Sequence, residues 1–203
     1  MYRLFGKRFL DFILSLCALI VLCPLMVILA VVGAVAMHGN PFFAQPRPGK
    51  NEKVFLLLKY RTMSNQKDKD GNLLSDEARL NKYGKFLRST SLDELPELIN
   101  ILLGQMSIVG PRPLLVSYLS RYNAHQKRRH EVRPGLTGLA QAQGRNALSW
   151  EERFEMDVWY VDHISLKTDV HILIDTVKIV LGRKGISAEG SVTMGEFNSS
   201  AEV

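Results

Sequence analysis

Residues 12–37 carry no charged side chain, and this 26-residue run constrains the chain more than any other feature in it. As one straight helix it is about 39 Å long, more than the ~30 Å of a bilayer's hydrocarbon core. Pro24 lies near its midpoint, where it removes the hydrogen bond to the Ile20 carbonyl and crowds that group. Each arm is then about 18–20 Å long, too short to cross alone. Arg3, Lys7 and Arg8 precede the run, and Arg47, Lys50, Lys53, Lys59 and Arg61 follow it. Because Lys and Arg favour the cytoplasmic side, both flanks favour the same side. A helix that enters, bends at Pro24 and leaves by the same face satisfies both. A single spanning anchor satisfies the length equally, since many spanning helices contain proline. A cleaved leader fits less well: Ala34-x-Ala36 resembles a cleavage site, but the apolar region is too long.

The remainder of the 203 residues suffices for one domain with a core. A formal net charge of +6 and a pI near 9.4 point to an anionic partner: a phosphate-bearing ligand, a lipid headgroup or a nucleic acid. Nucleic acid is disfavoured, because the basic residues are not interleaved with an aromatic stacking platform. Cys17 and Cys23 both fall inside the apolar run, so they make no disulfide framework. The five histidines share no zinc-ligand spacing, and neither a Walker loop nor a G-x-G-x-x-G is present.

The stretch with chemistry in it covers residues 88–113. Leu95, Leu98, Ile99 and Leu102 recur at helical spacing and Gly104 supplies a stop. Asp93 and Glu94 fall in the first turn of that helix, where free N–H groups and the dipole favour negative charge. Arg88 precedes them, and Arg112 follows within Gly110-Pro111-Arg112-Pro113, where two prolines fix the backbone around one guanidinium. Ionised carboxylates beside phosphate-holding cations suit phosphoryl transfer. The same residues also read as a helix start: Ser91-x-x-Glu94 is a capping box, and Pro96 makes Asp93 itself a candidate cap.

Elsewhere, residues 41–45 and 54–60 read as two short strands around a turn, with Lys59 and Arg61 on one side of the second and Tyr60 on the other. Residues 64–70 read as an exposed loop, and Ser75 caps a scaffolding helix reaching about Tyr83. Leu114, Leu115, Tyr118, Leu119 and Tyr122 give a second amphipathic helix, ending in the basic run His125 to His130. Arg133 opens a turn-rich link to Gly138, and Arg145 follows in a polar stretch. Ser149-x-x-Glu152 opens a helix carrying Trp159 and Tyr160, which suit either a core or a headgroup interface. The last helix aligns Leu166, Val170, Leu173, Val177 and Leu181 on one stripe, widened by Ile174 and Val180, and stops at Gly182. Beyond it the chain is polar and Gly/Ser-rich.

Taken together, five features resemble the small monotopic phosphoglycosyl transferases, the bacterial sugar transferases. They are the apolar segment with its central proline, Lys59-Tyr60-Arg61-Thr62-Met63, residues 88–95, Ile108-Val109-Gly110-Pro111-Arg112-Pro113, and Arg133-Pro134-Gly135-Leu136-Thr137-Gly138. They stand in the family's order over nearly the whole chain, and the likeness is greatest to the short members acting on diacetylbacillosamine. The sequence departs from many relatives at Leu139, at Ala142-Gln143 and at Cys23, none of which touches the carboxylate pair.

The resemblance implies an α+β, mainly α, fold. Residues 1–38 form a re-entrant membrane helix broken at Pro24, and residues 39–185 a cytosolic catalytic domain of amphipathic helices with a short β-hairpin. Residues 186–203 form a mobile tail. The implied reaction moves a sugar 1-phosphate from a UDP-sugar to polyprenyl (undecaprenyl) phosphate and releases UMP. Asp93 is the nucleophile that carries the phosphosugar, and Glu94 assists with Mg²⁺. Lys59, Arg88, Arg112, Arg133 and Arg145 surround the phosphates. The implied setting is the cytosolic face of a bacterial inner membrane, at the first membrane step of protein N-glycosylation or a related surface glycan. Contact with later glycan-assembly enzymes goes with that place. The competing class is a membrane-tethered basic module that binds anionic lipid without catalysis.

Overall fold

The computed structural model describes residues 1–144, 148–182 and 197. It is mainly helical, with two small sheets. Helix α1 (Lys7–Ala36) follows a π-helical turn at Tyr2–Gly6. Strands β1 (Phe42–Pro48) and β2 (Val54–Tyr60) form an antiparallel hairpin, with Phe42 opposite Tyr60 and Pro48 opposite Val54. Helices α2 (Asp76–Arg79), α3 (Lys82–Thr90) and α4 (Glu97–Leu102) come next, then β3 (Ser107–Val109). The rest is α5 (Ala124–Lys127), β4 (Gly135–Thr137), α6 (Leu139–Gln143), α7 (Trp150–Asp162) and α8 (Leu166–Gly182).

Helix α1 stays helical through Pro24. The expected break is therefore a proline inside one continuous helix, where the lost hydrogen bond bends a helix without ending it. The helix lies along the domain at both ends. Near its start, Arg8 donates to the carbonyls of Ile101 (2.6 Å) and Leu102 (2.7 Å), and Asp11 accepts from the Ile108 N–H at 2.9 Å. Buried Asp169 of α8 accepts from Tyr2 (2.5 Å), Lys7 (2.6 Å) and Tyr160 (2.7 Å). Near its end, Tyr60 donates to the Met26 carbonyl and Tyr83 to that of Leu29, both at 2.7 Å, while the Asn81 amide reaches Ala36 at 2.9 Å. The opposite face is bare: Val21, Val27, Ile28 and Val31 are 56–75% exposed.

The hairpin, α1 and α4 share one core, in which Phe55, Leu57, Leu98, Ile101 and Met106 pack with Ala18, Leu22, Leu95, Ile108 and Leu136. Asn100 ties α4 to β2, accepting from the Leu58 N–H (3.0 Å) and donating to the Leu56 carbonyl (2.8 Å). A parallel pair, β3 with β4, joins this core to α6, α7 and α8. Its closeness depends on glycine: a Cβ on Gly135 would lie 2.1 Å from the Gly110 nitrogen, and one on Gly138 2.2 Å from the Gly110 oxygen. An aromatic cluster of Tyr118, Tyr122, Trp150, Phe154 and Phe197 closes the far side.

Several sequence expectations change here. Residues 114–122 contribute a 3₁₀ segment (Val116–Arg121) in place of an α-helix. The supposed link at 133–138 contains β4. On α4 the buried residues are Glu97, Leu98, Asn100 and Ile101, whereas Ile99 is 36% exposed. On α8 four residues of the apolar stripe face outward, Leu166, Val170, Ile174 and Val177 at 45–56% exposed, while Leu173 packs inward beside buried Asp169 and Ile172. Trp159 is likewise 46% exposed. The side chains of residues 180–182 and the expected tail at 186–203 lie outside the described residues, except for Phe197.

Candidate active site

Asp93 and Glu94 stand in a 3₁₀ turn, Leu92–Glu94, between α3 and α4. The α-helix itself begins only after Pro96, which has no N–H to give and needs none at a helix start. Ser91 precedes the turn in the left-handed region (φ 56°), and its side chain makes no capping bond. The capping-box reading therefore fails, and the two carboxylates are released for other partners.

Glu94 finds two cations. One of its oxygens, Oε1, accepts from Lys59 Nζ and from Arg112 NH2, each at 2.7 Å. Lys59 comes from the end of β2, and Arg112 from the Pro-Arg-Pro segment after β3. Arg129 holds that segment from behind. It donates to the Arg112 carbonyl (2.8 Å) and is paired with buried Asp157 at 2.7 and 3.0 Å. Arg88 also faces the site, with its guanidinium steadied by Thr62 Oγ1 at 3.1 Å and Met63 Sδ at 3.0 Å.

The charges set distinct protonation preferences. Burial alone raises the Glu94 carboxyl, but the charges and hydrogen bonds of Arg112 and Lys59 outweigh it and hold it at about 2. Asp93 lacks such direct partners; burial and the neighbouring Glu94 charge raise it above the ordinary carboxylate range. Glu97, which lies outside the sequence-predicted site, is 3.1 Å from Lys59 and 3% exposed. Burial pushes it up to about 7, against the lowering charge of Lys59. The Glu94 charge raises Arg112, so its guanidinium stays charged.

These groups open into one cavity of about 680 Å³. Lys59, Arg88, Asp93, Glu94 and Arg112 line it, and Trp150 and Arg153 of α7 extend its polar side. Its apolar side is built by Ala18 and Leu22 of α1, Leu98, Leu136, and Leu173 and Ile179 of α8. Arg133 is elsewhere: its Nε donates to the Gly104 carbonyl at 2.7 Å, so with Arg8 it satisfies the end of α4. Arg145 lies outside the described residues. Arg129 and Asp157 gave no local signal, because they lie 28 residues apart in sequence. Glu97 was legible, four residues after Asp93 and three after Glu94.

Among the described residues no group of three or more His, Cys, Asp or Glu side chains could hold a metal by itself. Magnesium asks for less, since it is held by one or two carboxylates and completed by water and substrate phosphate. Asp93, and the Glu94 oxygen not bonded to Lys59 or Arg112, fit that pattern.

Comparison with known proteins gives the family. Residues 2–183 match the family described as Bacterial sugar transferase. The chain is 49% identical to the uncharacterized sugar transferase EpsL of Bacillus subtilis over 97% of its own length and 98% of that protein. It is 38% identical to the undecaprenyl-phosphate galactose phosphotransferase of Salmonella typhimurium over 89% of this chain. It is 39% identical to the UDP-glucose:undecaprenyl-phosphate glucose-1-phosphate transferase of Klebsiella pneumoniae over 84% of this chain. The chain matches only 41% and 39% of the length of these last two proteins. With the match running from the first turn to the last helix, the chain belongs to the bacterial sugar transferase family.

Proposed function

We propose that this protein transfers a sugar 1-phosphate from a UDP-sugar to polyprenyl phosphate at the cytosolic face of a bacterial inner membrane. The observation that carries the reading is that one cavity is lined by both polar and apolar groups. It sets an ionisable carboxylate among three cations and joins that cluster to an apolar wall made partly by α1. A diphosphate fits the polar side and a lipid chain the apolar side, with Asp93 between them. Two of the relatives are called an undecaprenyl-phosphate galactose phosphotransferase and a UDP-glucose:undecaprenyl-phosphate glucose-1-phosphate transferase, names that support that division.

In the first displacement an Asp93 oxygen attacks the sugar-bearing phosphorus, the bond to the bridging oxygen breaks, and UMP leaves. In the second, a polyprenyl phosphate oxygen attacks the same phosphorus, the acyl–phosphate bond breaks, and the carboxylate is restored. Arg112, Lys59 and Arg88 neutralise the phosphate oxygens in both steps. Glu94 keeps Arg112 and Lys59 together at the phosphate position. A magnesium ion held by Asp93 and Glu94 would supply further charge neutralisation at the diphosphate. Chelation should then stop turnover and added Mg²⁺ restore it; full activity in excess chelator removes the metal from the mechanism.

The deciding experiment is UMP release across UDP-sugars, including UDP-glucose, UDP-galactose and UDP-diacetylbacillosamine, each with polyprenyl phosphate. The best of them names the sugar and so the class of glycan, whether protein-linked or a surface polymer. Release from none of them leaves a lipid-binding module.

Re-entry of α1 is part of the reading. Both ends of the helix bond to the same domain, and a spanning helix carries its far end across the bilayer from that domain. The outward apolar faces of α1 and α8 and exposed Trp159 then seat the domain on the membrane. Single cysteines at exposed Arg3 and Asp70 should both resist an impermeant thiol reagent on intact cells and both react after lysis. Labelling of only one from outside means that the helix spans.

A further inference from the structure

We propose that Glu97 is a positioning residue for Lys59, a carboxylate set behind the lysine that keeps its ammonium aimed into the cavity. The inference rests on the sugar-phosphate reading and adds a residue to it. Lys59 lines the cavity and Glu97 does not, although Glu97 opens α4 directly after the carboxylate turn. Lys59 Nζ thus stands between two carboxylates, Glu94 at 2.7 Å on the cavity side and Glu97 at 3.1 Å behind.

An ammonium has three donors on a flexible stem, and one partner does not fix its direction. Glu94 is also the less constant partner. Its bonded oxygen is shared with Arg112, and incoming phosphate competes for both cations. Glu97 is buried, and Lys59 is its one ion-pair partner among the described residues, so substrate does not compete for it. When phosphate draws Lys59 away from Glu94, Glu97 retains one N–H and leaves the others pointing forward. Without it the four-carbon stem is free to swing, and the phosphate loses a fixed cation at the moment it is needed.

The test is a double-mutant cycle on the full-length protein in detergent or nanodiscs, read as kcat/KM for UMP release from its best UDP-sugar. Glu97→Leu should lower kcat/KM about tenfold to a hundredfold, and Lys59→Met at least as much. The double variant should fall within about threefold of Lys59→Met alone, because Glu97 acts only through the lysine. Glu97→Gln should recover most of the loss, since its amide oxygen still accepts from the ammonium. Melting temperature should fall little in Glu97→Leu: removing one partner of a buried pair destabilises by leaving a charge uncompensated, and here Glu94 still faces Lys59. Should Glu97→Leu fail to fold, Glu97→Ala carries the same cycle. Losses that multiply in the double variant overturn the inference, as does an undiminished Glu97→Leu. A wild-type protein that releases no UMP from any UDP-sugar overturns the parent reading and this one with it.

Discussion

Asp93→Asn should abolish turnover and, with it, the covalent step. In the absence of polyprenyl phosphate the wild-type protein should release about one UMP per active site and gain the mass of one phosphosugar, both read on the intact protein. The amide variant keeps size and shape but has no ionised oxygen to attack with, so burst and added mass should vanish together. The turn should survive the change, because Asp93 caps no helix here: α4 starts beyond Pro96, and the cations bind Glu94. Glu94→Gln should instead leave a slow burst, since the nucleophile remains while Lys59 and Arg112 lose their common anion. The pH dependence carries a sign. Burial and the Glu94 charge raise Asp93, so its nucleophilic form is lost, as pH falls, at a higher pH than for an ordinary aspartate. Near-normal turnover by Asp93→Asn would sink the two-step scheme and leave direct attack by the lipid phosphate.

Gly135→Ala should unfold the domain or come close to it. The new methyl carbon would lie 2.1 Å from the Gly110 nitrogen, 2.3 Å from the Thr137 carbonyl oxygen and 2.6 Å from the Gly110 oxygen. All three are backbone atoms with no rotamer to escape through, so β3 and β4 have to separate. That separation breaks the parallel register and the bond from the Gly110 N–H to the Thr137 carbonyl at 2.8 Å. It also moves the Pro-Arg-Pro segment that aims Arg112. A loss of roughly 3–5 kcal/mol is expected, a large share of a typical domain's stability. Gly39→Ala is the control, since a Cβ there meets nothing within 4 Å. Thermal unfolding of both variants reads the difference; equal melting temperatures would show that β3 and β4 tolerate being parted.

Local pattern determined much of this protein. The long apolar run, the hairpin, the capping box at Ser149 and the carboxylate pair flanked by arginines are all short-range features, and short-range sterics and hydrogen bonding fix them wherever the chain goes. The helical periodicity of α8 was equally plain, but periodicity reports only that one face is apolar. Which face is buried depends on the neighbours, and here Lys7, Tyr2 and Tyr160 draw Asp169 inward and leave Val170 and Ile174 outside. Residues 133–138 show the same limit in another form. A three-residue strand has too few residues to show a period, and its partner lies 28 positions earlier, so only the folded chain pairs Ser107 with Gly135. That pairing sends Arg133 to the end of α4 while Arg112 goes to Glu94. The sequence by itself offered the candidate groups, because carboxylates and guanidinium groups are legible one at a time. Only the tertiary structure decided which of them meet, because Lys59, Glu94 and Arg112 lie on three separate segments and converge only when those segments pack.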